Sequence, residues 1–111
     1  MKLGSLKTTP ETNVSHNAAI KRRRMISMGD IPSLTNFSQA TFPPGEVAPA
    51  HRHADMVEVF FVQKGEGSIV MDGITHALKE GDFIQVDIGE EHELQNTSSD
   101  DLVVLYFGIT V

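Results

Sequence analysis

The residues best suited to bind a metal ion lie in one stretch, Gly45–Gly65, which reads GEVAPAHRHADMVEVFFVQKG. His51 and His53 are separated by one residue, so on a β-strand they would point to the same face about 7 Å apart and could lean toward one ion. Glu58 follows at an odd step from His53, which would place it on the opposite face of a straight strand. We therefore expect the chain to turn at residues 54–56, so that Glu58 faces the histidines from a neighbouring strand.

A second stretch, GDFIQVDIGEEHELQN at residues 81–96, places His92 just after a glycine turn. Three imidazoles and one carboxylate would leave one or two positions of an octahedral ion open for water or substrate. Because the chain contains no cysteine, ligands are limited to nitrogen and oxygen, which favours Mn, Fe, Ni, Co, Cu or Zn. The alternative is that these histidines are structural or face solvent, as we expect for His16 and His76, which lie outside the group.

The rest of the chain predicts an all-β domain that would position these side chains. Short runs of β-branched and aromatic residues alternate with Gly, Pro, Asp and Asn clusters, and no segment has the pattern of a helix. Asp72-Gly73 is typical of a type I′ hairpin turn, in which both central residues need positive φ. The predicted strands are residues 21–27, 36–42, 48–53, 57–63, 67–71, 74–78, 82–86, 91–96 and 102–109.

Length and composition predict one domain. The 111 residues suffice for a single core; residues 1–19 are polar and aperiodic, which predicts a flexible N-terminal arm before a folded domain at residues 20–111. The net charge of −6 argues against general binding to nucleic acid or anionic membranes. No apolar run reaches the roughly 18 residues of a membrane span, and residues 1–6 lack the apolar part of a secretory signal, so we expect a cytoplasmic protein. We interpret the basic run Lys21–Arg24 as an exposed edge strand protected by charge, rather than as a phosphate or nucleic-acid patch.

The two glycine-framed stretches together resemble the paired motifs of the cupin superfamily. The first motif is matched in full by Gly45, His51, His53, Glu58 and Gly65 at their spacing. The second is matched by Gly81, Gly89, His92 and Asn96, with Asp87 where that motif usually has proline. The resemblance spans about residues 36–111, and the short segment between the motifs is similar to that of small microbial single-domain cupins.

This resemblance implies a small double-stranded β-helix, or jelly-roll, barrel that holds one divalent transition metal per chain. The implied ions are Fe, Mn, Ni, Cu or Zn, and the implied ligands are His51, His53, Glu58 and His92. It also supports a homodimer. The segment 102–109, LVVLYFGI, is apolar on both faces, so one face needs cover from residues 20–28 or from a second chain.

The expected pocket is largely apolar, because alternation from Glu58 places Phe60 and Val62 on the same inward face. We expect the aromatic side chains to form the core and the barrel lining, with one of each adjacent pair facing the pocket; these are Phe60, Phe61, Phe83, Tyr106 and Phe107. The only cations expected in the barrel region are Arg52, pointing outward, and the turn residues Lys64 and Lys79. Without a cation in the pocket, binding of phosphates or sugar nucleotides is disfavoured.

These features predict a metal-dependent cupin that binds a small molecule. The leading interpretation is an oxidoreductase of the dioxygenase type acting on a small chelating substrate, with Glu58 as a ligand or, if it leaves the ion, as a base. One alternative is a non-redox isomerase or lyase that uses the ion as a Lewis acid. The other is a non-catalytic cupin that binds or senses a ligand.

Overall fold

The computed structural model describes all 111 residues and has ten β-strands, with a short 3₁₀ turn at Leu6–Thr8. The all-β prediction is confirmed, and the predicted strands correspond to β2–β10. The strands are β1 (Glu11–Val14), β2 (Asn17–Ile26), β3 (Leu34–Phe42), β4 (Val47–His51), β5 (Met56–Lys64), β6 (Glu66–Met71), β7 (Ile74–Lys79), β8 (Phe83–Val86), β9 (His92–Gln95) and β10 (Leu102–Thr110).

The strands form two antiparallel sheets that enclose one core. The larger sheet has the order β1-β2-β3-β10-β5-β8, and the smaller has the order β4-β9-β6-β7. Alternation along each strand sends one set of side chains inward. The buried apolar side chains come from both sheets and are Ile20, Ala40, Phe42, Phe60, Val62, Ile69, Leu78, Val86, Leu94, Leu102 and Val104. The arrangement is the predicted double-sheet jelly roll.

The turns that close this barrel are of the predicted kinds. At the β6–β7 hairpin, Asp72 and Gly73 have φ of 46° and 83°, as a type I′ turn requires. Gly65, between β5 and β6, has φ of 83°, and a Cβ atom there would collide with the carbonyl oxygen of Asp101. Glycine is therefore required at residue 65 for both its conformation and its close packing.

The N-terminal segment differs from the prediction. Residues 11–14 form β1, and β2 begins at Asn17, so part of the predicted arm is paired strand. Because β2 lies between β1 and β3, the interpretation of Lys21–Arg24 as an edge strand is wrong. β1 could not be predicted because three of its four residues are polar and exposed, so the segment shows no alternation.

The aromatic side chains divide between the two faces of the larger sheet. Phe60 is buried inside, whereas its neighbour Phe61 is 40% exposed and Phe83 is 75% exposed on the outer face. The prediction that all five aromatics are core or lining residues is therefore wrong for Phe61 and Phe83. They are paired across β5 and β8, so alternation places both outside. No helix in the structure is long and apolar enough to span a membrane.

Candidate metal centre

Four side chains that can ligate a metal converge between the two sheets. One donor atom from each of His51, His53, Glu58 and His92 can be chosen so that all lie within 4.8 Å of one another. His51 ends β4 directly opposite His92 at the start of β9, and His53 follows two residues after the end of β4. Glu58 comes from β5 in the other sheet, after the bend at residues 54–55. The predicted turn therefore brings the carboxylate to the histidines.

Backbone carbonyl groups orient two of the three imidazole rings. Nδ1 of His51 lies 2.9 Å from the carbonyl oxygen of Pro49, and Nδ1 of His92 lies 3.1 Å from that of Glu90. Because a carbonyl oxygen can only accept, each Nδ1 carries the hydrogen. In the neutral ring this leaves the Nε2 lone pair available, and such carbonyl partners commonly fix the tautomer of metal-binding histidines.

The carboxylate of Glu58 faces two imidazole nitrogens and is almost completely buried. Its Oε1 lies 2.9 Å from Nε2 of His53 and 3.2 Å from Nε2 of His92. Although Nε2 of His53 lies close to Oε1 of Glu58, the contact does not have the geometry of a hydrogen bond. The buried Nε2 atom therefore has no hydrogen-bond partner. A buried nitrogen without a partner is costly, and a cation shared with the carboxylate would satisfy it. The donor set therefore fits a divalent transition metal.

The same contacts shift the protonation of His92 when no ion neutralises Glu58. Burial disfavours the charged imidazolium and lowers the pKa of His92, but the interactions with the Glu58 carboxylate and the Glu90 carbonyl outweigh burial. The pKa of His92 is therefore raised above its usual value. A proton and a metal ion compete for the same nitrogen.

A backbone hydrogen bond connects the loop that carries His53 with the turn that precedes His92. The backbone N–H of Gly89 donates to the carbonyl of His53 over 2.8 Å, so the turn before His92 is fixed to the first histidine pair. Asp87 occupies the position where proline was expected, and its N–H donates to the Glu90 carboxylate over 2.7 Å. This hydrogen bond stabilises the turn in place of the conformational restriction that a proline would provide.

Asn96 holds the other end of β9. Its side-chain NH₂ group donates to the carbonyls of Phe42 and Asp100, each over 2.8 Å. Its Oδ1 accepts from the N–H and the hydroxyl of Ser98, each over 2.9 Å. Asn96 is 2% exposed, so this last residue of the second motif has a structural role.

A cavity of about 470 Å³ opens beside the four donor residues. Phe60 lines it and stacks on Tyr106 with ring centroids 5.6 Å apart. Val62 shares the inward face of β5 but does not line the cavity; it is buried in the core. It lies about 13 Å along the strand from Glu58, which is too far for it to border the donor group. His16, in the turn between β1 and β2, also lines the cavity but is not one of the converging donors.

The cavity contains a cation that the sequence did not predict. Arg22 lies on β2 and lines the cavity, so the expectation of a pocket without a cation is wrong, as is the argument against anionic ligands based on it. Arg52, the other arginine at the cavity, has an exposed side chain and pairs with Glu91 at 3.2 Å, in agreement with its predicted outward direction. The pairing of β2 with β3 brings Arg22 to the cavity, and no local signal in the sequence indicates that pairing.

Comparison with known proteins identifies the family. Residues 38–108 match the cupin domain family, a segment that contains all four donor residues. The chain belongs to the cupin domain family.

Two proteins of known name are similar to this chain over part of their length. It is 33% identical over 69 residues to an oxalate-binding protein of Thermotoga maritima, covering 62% of this chain and 57% of that protein. It is 36% identical over 75 residues to auxin-binding protein 1 of Arabidopsis thaliana, covering 59% of this chain and 37% of that protein. This cupin thus spans less than two thirds of either relative.

Two solved structures support the fold. A crystal structure from Thermotoga maritima, described as a predicted oxalate decarboxylase, superposes with a TM-score of 0.89 at 23% identity, covering 99% of this chain and 100% of that one. The polyketide cyclase RemF from Streptomyces resistomycificus superposes with a TM-score of 0.83 at 18% identity, covering 99% and 79%. At these identities the likeness concerns the fold alone.

Proposed function

We propose that this cupin binds one divalent transition metal per chain through His51, His53, Glu58 and His92, and uses it to hold a small chelating organic acid. The observation that carries the proposal is the buried Nε2 of His53, which faces the Glu58 carboxylate without a satisfactory hydrogen bond. An ion at the convergence point of the donors removes that cost. Fe, Mn, Ni, Cu and Zn all suit three imidazoles and one carboxylate.

The pocket and one relative support an acidic, chelating ligand. Oxalate, named for the Thermotoga maritima relative, is a small acid that chelates divalent metals through two oxygen atoms. Arg22 provides positive charge in the cavity wall, which favours an anion over a neutral molecule. The apolar side chains beside the donors, such as Phe60 and Leu94, would exclude water from the bound ligand.

Each residue of the site has a separate role in this proposal. The ion would be held by the neutral imidazoles of His51, His53 and His92. The carbonyls of Pro49 and Glu90 keep the rings of His51 and His92 in the tautomer that can bind it. Glu58 contributes the one negative charge of the donor set. When bound, the ion supplies a Lewis acid and a template that orients the ligand.

A dioxygenase reaction is the second candidate, favoured by a donor set that leaves coordination positions open beside an apolar wall. In that case Glu58 remains a ligand or acts as a base toward the substrate. The dioxygenase interpretation relied in part on a pocket without a cation. Arg22 lines the pocket and could hold an acidic substrate, so that part of the argument no longer applies. A non-redox isomerase or lyase, and a binding or sensing protein without turnover, are the remaining alternatives.

Calorimetry with metal-free and metal-loaded protein tests the primary proposal. Oxalate should bind to the Mn-, Ni- and Zn-loaded forms and should not bind measurably to the metal-free form. Equal affinity with and without metal would contradict it. An oxygen electrode then separates the reactions: oxygen consumption by the Fe or Mn form with chelating enols, diketones or acids supports a dioxygenase, whereas conversion of the ligand by the Zn form supports an isomerase or lyase.

We also propose that the protein forms a homodimer through the outer face of the larger sheet. Phe61 and Phe83 lie side by side and exposed there, and Leu105 is paired beside Phe61. The strand β2 extends this sheet beyond β3 instead of covering its face, so residues 20–26 do not supply the cover. An apolar face of this kind suits a second copy of the chain. A cytoplasmic location stays a prediction from the sequence.

A further inference from the structure

Arg22 is the arginine in the cavity wall that has neither a role at the metal centre nor a carboxylate partner. It is half-buried at the middle of β2, and its side-chain neighbours are neutral hydroxyl groups: Nε lies 3.4 Å from Oγ1 of Thr12, and the guanidinium lies near the phenol of Tyr106. No carboxylate lies within ion-pair distance of it, whereas Arg23 pairs with Glu11 and Arg52 with Glu91. In a chain with net charge −6, an unpaired guanidinium facing a cavity indicates an anionic ligand.

Tyr106 links this cation to the metal centre. Burial raises the pKa of its phenol, the nearby Arg22 guanidinium and Ser38 hydroxyl oppose that change, and the negative charge of Glu58 adds to it. The net effect raises the pKa of Tyr106, so the phenol stays neutral at physiological pH and can donate a hydrogen bond. Its ring stacks on Phe60, which borders His92 with ring centroids 6.0 Å apart. The cavity therefore has a metal-binding end, an aromatic middle and a cationic end.

The number of donors at the cationic end suits a carboxylate. The terminal nitrogens of a guanidinium present a planar pair of N–H groups, which match the two oxygens of a carboxylate, and the phenol adds one further donor. A phosphate dianion has three terminal oxygens and a second charge, which one guanidinium would leave partly uncompensated. These donors suit an asymmetric ligand with a chelating group at one end and a carboxylate at the other.

We infer that this cupin selects acids that carry a second carboxylate remote from the chelating group, and that Arg22, assisted by Tyr106, is the residue that recognises it. This inference rests on the proposed function, because the other end of the ligand is held at the metal centre. It excludes oxalate as the best ligand, since both carboxylates of oxalate are engaged in one chelate ring and none remains for Arg22.

Matched pairs of 2-oxo acids test this selectivity by calorimetry with the Zn- and Ni-loaded protein. The pairs are 2-oxoglutarate with 2-oxopentanoate and 2-oxoadipate with 2-oxohexanoate, whose members share the chelating end and differ at the remote carboxylate. In at least one pair, the dicarboxylate should bind about tenfold or more tightly, as expected for a hydrogen-bonded charge pair. Fluorescence emission from Tyr106, the only tyrosine in a chain without tryptophan, provides a second measurement of ligand binding in the cavity.

Variants of β2 show whether Arg22 causes the preference. Arg22→Gln should bind both members of a pair equally, while Arg24→Gln, with the same charge change at an exposed site outside the cavity, should keep the wild-type preference. Arg22→Met, which keeps a long side chain in the half-buried position, repeats the test if the glutamine variant does not fold.

The outcomes separate this inference from the function on which it rests. Binding of the 2-oxo acids without a preference, or a preference that survives in Arg22→Gln or Arg22→Met, would overturn the inference and leave metal-dependent ligand binding intact. If neither the 2-oxo acids nor oxalate bind to any metal-loaded form, the proposed function fails and the inference fails with it.

Discussion

Replacement of Glu58 by glutamine removes the only negative charge of the donor group while keeping the size of the side chain. Glu58 is 6% exposed, and its Oε1 lies about equally close to Nε2 of His53 and of His92. An amide oxygen can still ligate, so the ligand count can be preserved. The variant therefore measures mainly what the charge contributes to metal affinity.

The expected loss is large because the Glu58 carboxylate is shielded from solvent. Two unit charges 4 Å apart attract by about 4 kcal/mol at an effective dielectric constant near 20, and a divalent ion increases that attraction. Part of it is offset by the cost of removing water from both charges. We therefore expect Glu58→Gln to weaken metal binding by at least about 3 kcal/mol, or roughly a hundredfold in Kd.

Competition with a chelator of known affinity measures this change for Zn and Ni. Glu93→Gln is the matched control, since it makes the same substitution one residue after His92 on a side chain that bonds Gln95 instead of the donor group. The control should bind metal as the wild type does. A Glu58→Gln variant within about threefold of wild-type affinity would refute the role assigned to this carboxylate.

Three further predictions concern stability and assembly. Asn96→Ala should lower the free energy of unfolding by about 2–4 kcal/mol, because the buried bond to the carbonyl of Phe42 and the partly buried bond to that of Asp100 are lost. Urea titration checks this, and a loss as small as that of Asn13→Ala would contradict it. In chelator-treated protein the raised pKa of His92 stabilises the fold fully below about pH 6.5, and this stabilisation is lost as the pH rises through the folded-state value. The stability difference between wild type and His92→Gln should therefore shrink from pH 6 to pH 9 in denaturant titrations, and a difference that grows would contradict the assignment. Sedimentation should give twice the chain mass of 12.2 kDa for wild type and the single-chain mass for Phe83→Lys, whereas a wild-type monomer at micromolar concentrations would exclude the dimer.

The convergence of the four donor residues could be predicted because its information is local in the sequence. The step between His51 and His53, the turn before Glu58 and the glycine before His92 each limit where a side chain can point. The strands around them follow from alternation and turn residues, so β2–β10 could be placed approximately. The all-β class and the jelly-roll arrangement followed from the same patterns and from the resemblance to cupins.

The cationic end of the cavity could not be predicted, since it depends on pairing between distant segments. The direction of Arg22 is fixed by the registers of β2 with β3 and of β3 with β10, and polar strand β1 carries no alternation that would reveal its place. For Val62, alternation correctly predicted that the side chain points inward. It could not predict that Val62 lies too far along β5 to border the cavity. Local patterns determine the face of a residue, whereas its distance from the site depends on the assembled sheets.

Element analysis of the purified protein, combined with His53→Ala/His92→Ala, tests the central claim most directly. Untagged protein prepared from its native host should contain about one equivalent of a single divalent transition metal per chain, and its identity would also show whether redox chemistry is available. The double variant loses two imidazoles of the donor group and should contain no bound metal after the same preparation. Full occupancy in a folded double variant would contradict the assignment of these residues as ligands.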